Sequence, residues 1–116
     1  MDLENMIMEL LVHAGSARSH AMMALQQARR GDFAAAEQAM AQSRQAVSQA
    51  HGMQTELIGM DEGCGKIPVT LITVHAQDHL MNAMVIQDLA IDMIELYRRL
   101  PPAQVKPGAA LQRHPL

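Results

Sequence analysis

Aromatic side chains are almost missing from this chain: Phe33 and Tyr97 are the only two in 116 residues, and there is no tryptophan. A core without large flat rings must be closed by thin or flexible side chains, and eleven methionines and many alanines supply them. That composition favours closely packed helices over sheets. Cysteine is as scarce. Cys64 alone can form no internal disulfide and cannot build a multi-thiolate metal site, which fits a reducing compartment. Basic excess is lacking too. Nine Lys+Arg face twelve Asp+Glu, a formal charge of -3, and no basic block is interleaved with aromatics, so nucleic acid is not an expected partner. No apolar run approaches the ~20 residues of a membrane span. The opening Met1-Asp2-Leu3-Glu4-Asn5 is acidic where a signal peptide would be basic. A soluble, unexported protein without membrane insertion is therefore expected, and 116 residues leave room for one domain and one core, which excludes a two-domain enzyme.

What is present is helical periodicity. From Leu3 to Ala28 the apolar residues Leu3, Met6, Ile7, Leu10, Leu11, Ala14, Ala17, Ala21, Ala24, Leu25 and Ala28 recur every three or four positions, giving one buried stripe. Gly31-Asp32 breaks the pattern: the glycine tolerates positive φ and the aspartate can cap a following helix. A second helix starts near Phe33 with Ala36, Met40, Val47, Ala50, Met53 and Leu57 as its buried positions, and the short link makes an antiparallel hairpin. Gly59 to Lys66, with three glycines, reads as a flexible loop. A third helix is expected from there to Leu100, with Pro68 in its first turn and Pro101-Pro102 as its stop. Residues 1–100 thus form the helical domain, and 101–116, rich in proline, form a tail without enough apolar surface to fold.

The third helix is apolar all round. Leu71, Val74, Met81 and Val85 fall on one side, Ile72, Ala76, Ala83 and Ile86 on another, and Leu80, Met84, Ile91 and Ile94 on a third. A two-helix hairpin covers only part of that circumference, so an oligomer held through the third helix is expected. Into this surface the chain inserts His75, Asp78, His79 and Asn82 at i, i+3, i+4 and i+7, all on one face. Such a strip is costly in an apolar setting unless its members are paired, hold an ion or face a cleft. Three readings follow from the residues alone. The strip is a satisfied polar boundary between subunits, a metal site that needs ligands from distant His13 or His51, or the seat of a nucleophilic histidine. A free imidazole, with a pKa near ~6.5, is mostly neutral at pH 7 and, once phosphorylated, is a good leaving group, which suits a relay.

The run His75-Ala76-Gln77-Asp78-His79-Leu80-Met81, reached through Leu71-Ile72-Thr73-Val74, resembles the active-site segment of the lactose/cellobiose-type enzyme IIA components of the bacterial sugar phosphotransferase system. The likeness extends to Gly15-Ser16-Ala17-Arg18-Ser19, Ala24 to Ala28, Gly31-Asp32-Phe33-Ala34-Ala35-Ala36, Gln49-Ala50-His51 and Gln54-Thr55-Glu56-Leu57-Ile58, and is strongest toward N,N'-diacetylchitobiose members. The resemblance implies an all-α, antiparallel three-helix bundle assembled as a homotrimer through the third helix. It implies a cytoplasmic phosphoryl carrier in which His75 takes phosphate from HPr and passes it to the cysteine of a cognate IIB component, with His79 and Gln77 assisting. It also implies that Asp78 meets its symmetry mates around a divalent cation, Mg2+, at the trimer axis. The alternative is a non-catalytic, metal-binding helical oligomerisation module. Cys64 and His51 have simpler readings, as an incidental loop thiol and a packing residue. Arg29 and Arg30 read as solvated helix charges; Arg18 does too, with a further chance of anchoring a phosphate.

Overall fold

The computed structural model describes residues 2–101, so the tail expected over 101–116 lies outside the described residues but for Pro101. Three helices, α1 (Leu3–Arg29), α2 (Phe33–Asp61) and α3 (Leu71–Arg99), account for nearly all of it, and no strand occurs among the described residues. Each helix starts on the cap its sequence provides. Asp2 accepts from the Asn5 amide at 2.8 Å, Asp32 accepts from Ala35 at 3.0 Å, and Thr70 and Thr73 exchange bonds in a capping box. Between α1 and α2 the chain reverses at Gly31, whose φ of 85° lies in the left-handed region that a side chain disfavours.

Two boundaries differ from expectation. α2 continues through Gly59 and Met60 to Asp61 before Glu62, in the left-handed conformation, ends it. The reason is local: the Asp61 carboxylate accepts from the amides of Gly65 and Ile67, so the glycine-rich segment is an organised turn on the helix end and begins three residues later than its composition suggested. Pro68 does not occupy the first turn of α3. The capping box places the first helical residue at Leu71, and the Pro68 carbonyl lies outside the helix, accepting from the Thr73 hydroxyl at 3.2 Å. At the far end Leu100, preceding Pro101, is extended, as a residue before proline must be.

The chain runs up, down and up. The start of α1 packs with the end of α2 and the start of α3 around Leu10, Leu57 and Leu80, and the end of α1 packs with the start of α2 and the end of α3 around Met40, Ala90 and Ile94. Between these clusters the contact layer is built from Ala17, Ala46 and Ala83. Side chains this small let helix axes approach closely. In α2, sequence periodicity missed the buried Ala39, Ala46 and Ser43, the last of which is fully buried. Its hydroxyl donates to the Ala17 carbonyl at 2.8 Å and lies 3.0 Å from the acceptor oxygen Oε1 of Gln87, so one serine ties all three helices together.

α3 is covered on one side only. Ala76, Leu80, Ala83, Ala90 and Ile94 are buried, whereas Leu71, Val74, Met81, Val85, Leu89 and Leu96 remain 49–91% exposed along the opposite side. Ile72 and Ile91, grouped above with covered positions, are exposed as well. No helix among the described residues is long and apolar enough to cross a membrane.

Candidate functional site

At about 100° per residue, the helical wheel of α3 sorts the polar insertion into three directions. Asp78 sits on the midline of the exposed apolar stripe, with Val74 and Met81 one turn to either side. His75 and His79 lie about 60° and 100° from it toward α1. Gln77 lies about 100° away on the opposite flank, toward α2. The contacts agree with that geometry. Gly15 of α1 faces His79: a Cβ built on the glycine would stand 3.5 Å from the histidine Nε2. Gln77 accepts a hydrogen bond from the Gln54 side-chain amide of α2.

The structure therefore brings His75 and His79 together and does not bring Gln77 to them within one subunit. The two imidazoles are stacked, 5.8 Å between centroids and 10° between planes, one turn apart on the same face. His75 is exposed and His79 half-buried against α1. Among the described residues neither ring has a hydrogen-bond partner, so none of them ties up the nitrogens of His75. Asp78 is exposed and accepts from the Asn82 amide at 3.2 Å. This interaction lies within one helix and leaves carboxylate oxygen capacity facing outward.

On the α2 flank of α3 lies an apolar groove of about 540 Å³, bounded by Leu57, Ile67, Val69 and Met81, with Asp61 and Asp78 at its edge. Neither His75 nor His79 lines it. The remaining candidates are dispersed. His51 is exposed on α2, its carbonyl accepting from the Thr55 hydroxyl. His13 is half-buried on α1, and on the helical wheel it lies on the side away from Gly15. Cys64 is exposed in the α2–α3 turn. No group of three His, Cys, Asp or Glu able to hold a metal occurs among the described residues. The reading that drew ligands from His13 or His51 thus has no geometric basis in the subunit. Gly15 and Gln54 were not identifiable as neighbours of the polar strip by spacing alone, since each reaches it from another helix.

The chemistry available is an accessible imidazole beside a second one. A neutral ring can attack an electrophile presented by a docking partner, and its neighbour can donate a hydrogen bond to the incoming oxygens. Comparison with known proteins agrees in outline. Residues 5–98 match the family model of the phosphotransferase system lactose/cellobiose-specific IIA subunit. The chain is 50% identical over 99 residues to the N,N'-diacetylchitobiose-specific EIIA component of Escherichia coli K12, covering 85% of each chain. It is 42% identical to the lichenan-specific phosphotransferase enzyme IIA component of Bacillus subtilis, covering 85% of this chain and 90% of that one. Among solved structures, the cellobiose-specific enzyme IIA of Bacillus anthracis superposes with a TM-score of 0.80 at 41% identity, covering 85% of this chain and 92% of that one. The IIA(chitobiose) of the Escherichia coli complex with HPr superposes at 0.74 and 48% identity, covering 85% and 96%.

Proposed function

The chain belongs to the lactose/cellobiose-specific IIA family of the sugar phosphotransferase system, and from that premise we propose that it is a stoichiometric phosphoryl carrier serving uptake of a cellobiose-, chitobiose- or lactose-type sugar. The observation that carries this reading is the exposed ring of His75, free of hydrogen-bond partners among the described residues and set on a helix face that a partner can approach. A nucleophile that must meet two successive macromolecular partners has to be accessible, and this one is. The relative solved in complex with HPr supports HPr as the donor.

In the first half-reaction the phosphorus–nitrogen bond on the HPr histidine breaks as a bond from a His75 nitrogen to phosphorus forms. The proton released from the His75 ring balances the one taken up by the departing imidazole. In the second half-reaction a cysteine of the cognate IIB component attacks the same phosphorus as its thiolate, the bond from phosphorus to His75 breaks, and the proton given up by the thiol is taken up by the His75 ring, which leaves neutral. His79, stacked on His75, is positioned to donate to the phosphoryl oxygens in both steps. Gln77 acts at one remove in this reading: through Gln54 it holds the active turn of α3 against α2. Both partners and the reaction belong in the cytoplasm.

The exposed stripe of α3 is the surface on which copies of the chain would meet as a homotrimer. Asp78, on its midline, then approaches its two symmetry mates. Carboxylates ~5 Å apart repel by about 3 kcal/mol per pair at an effective dielectric near ~20. The donor set fits a hard divalent ion such as Mg2+: each chain offers an outward carboxylate oxygen. Such an ion supplies cohesion between subunits and takes no part in the transfer.

Incubation with phosphoenolpyruvate, enzyme I and HPr tests the proposal. One acid-labile, base-stable phosphate per chain is expected, lost in His75→Ala, and transferable to a IIB cysteine. A wild-type protein that stays unmodified while binding stoichiometric metal would instead establish the oligomerisation-module reading.

A further inference from the structure

The seam between α1 and α3 has a register that its contacts define. Gly15 faces His79, Ala17 lies with Ala83 in one cluster, and Met22 and Ile86 both pack against the next. Extending the Gly15–His79 register of 64 positions along the two parallel helices sets two rows side by side: Leu11, Gly15, Arg18 and Met22 on α1, and His75, His79, Asn82 and Ile86 on α3. Arg18 is the one cation in these rows. It is exposed, and it forms no salt bridge among the described residues, whereas Lys66, Arg98 and Arg99 are each paired with a glutamate. Arg29 and Arg30 stand roughly 17 Å or more farther along α1 at a rise of 1.5 Å per residue.

Helical side chains lean toward the N-terminus, so a residue covers the turn preceding its own Cα. For Arg18 the preceding turn is that of Gly15, which has no side chain and whose backbone is where His79 Nε2 rests. With no side chain at Gly15, nothing from that position stands between Arg18 and the imidazole pair. We propose that Arg18 is a positioning residue for the phosphoryl group carried on His75, its guanidinium closing the α1 side of the site while His79 closes the α3 side, and that Gly15 exists to keep the path between them clear. The proposal rests on the carrier reading above. A guanidinium presents parallel donors to two phosphoryl oxygens, a match that the point charge of lysine reproduces only in part. It answers a shortfall in the site: the imidazole pair alone offers few donors to a group with three charged oxygens.

Full-length protein, with circular dichroism to verify folding, is phosphorylated in single-turnover experiments over a range of HPr concentrations. Arg18→Gln is expected to lower the saturating rate by about tenfold or more, with less than a threefold change in the HPr concentration giving half that rate. Arg18→Lys recovers part of the loss. The 31P resonance of the phosphohistidine shifts between wild type and Arg18→Gln. Gly15→Val, whose branched side chain fills the path beside His79, slows transfer. A saturating rate unchanged in Arg18→Gln, an effect confined to HPr affinity, or an unaffected Gly15→Val would each overturn the proposal while leaving the carrier function intact. A wild-type protein that accepts no phosphate would overturn both.

Discussion

His79 is held between two helices while His75 is held by one, and this difference separates their roles. With its Nε2 against Gly15, His79 has lost part of its freedom to the α1 seam and can act as a fixed donor. His75, exposed and one turn earlier, keeps the accessibility a nucleophile needs. A His79→Ala variant is therefore expected to accept phosphate on His75 to the same final extent but about a hundredfold more slowly; quenched-flow labelling by HPr would measure this. Ser43 matters for stability alone. Ser43→Ala removes the buried hydroxyl that joins Ala17 to Gln87, and should cost about 1–2 kcal/mol, read as a lower midpoint in thermal denaturation. The pairing of His75 with His79 was legible in the sequence, because i and i+4 on a helix must share a face. Within the chain Gln77 lies on the opposite flank for the complementary reason. Its position inside the same seven-residue run suggested a common site, yet two residues turn a helix by about 200°, and that rotation delivers it to α2.

Among the elements, α1 is the central one, since its small residues meet both neighbours. Ala14, Ala17, Ala21, Ala24 and Ala28 are all completely buried, and their facing partners Ala36, Ala50, Ala76, Ala83 and Ala90 are nearly so. An interface built from methyl groups has no slack. Ala83→Leu should destabilise the bundle by about 1–3 kcal/mol through overpacking, detectable by denaturant titration. The same change at exposed Ala34 should be close to neutral. Helix starts were legible to within a residue or two wherever a cap followed a glycine, as at Gly31-Asp32. They were less so at α3, where two stop-and-start signals compete within a few residues. Pro68 is compatible with a first turn, but Thr70 and Thr73 form a reciprocal cap, and two satisfied amides outweigh a proline that only tolerates the helix.

Across the whole molecule, the prominent feature is an apolar stripe on α3 that the subunit leaves uncovered, with a carboxylate at its midline. If Asp78 carboxylates meet around a cation in a homotrimer, their charge decides assembly. Asp78→Lys should yield monomers by replacing a cation-bridged cluster with three ammonium groups. Asp78→Asn should assemble without divalent ions, and the wild type should dissociate on chelation; sedimentation velocity distinguishes all three. Retention of the wild-type assembly in excess chelator would remove the ion from its proposed role.

Local rules were enough to establish three helices, the Asp32 cap, the α1–α2 hairpin and the face shared by the two histidines, because each depends on residues within a turn or two of one another. Which flank of α3 meets α1, which meets α2 and which meets neither depended on the packing of distant segments. The periodicity of an all-round apolar helix has no preferred direction, and only the seating of alanine layers against one another selects it. That selection sends His79 to Gly15, Gln77 to Gln54 and Asp78 to the open side.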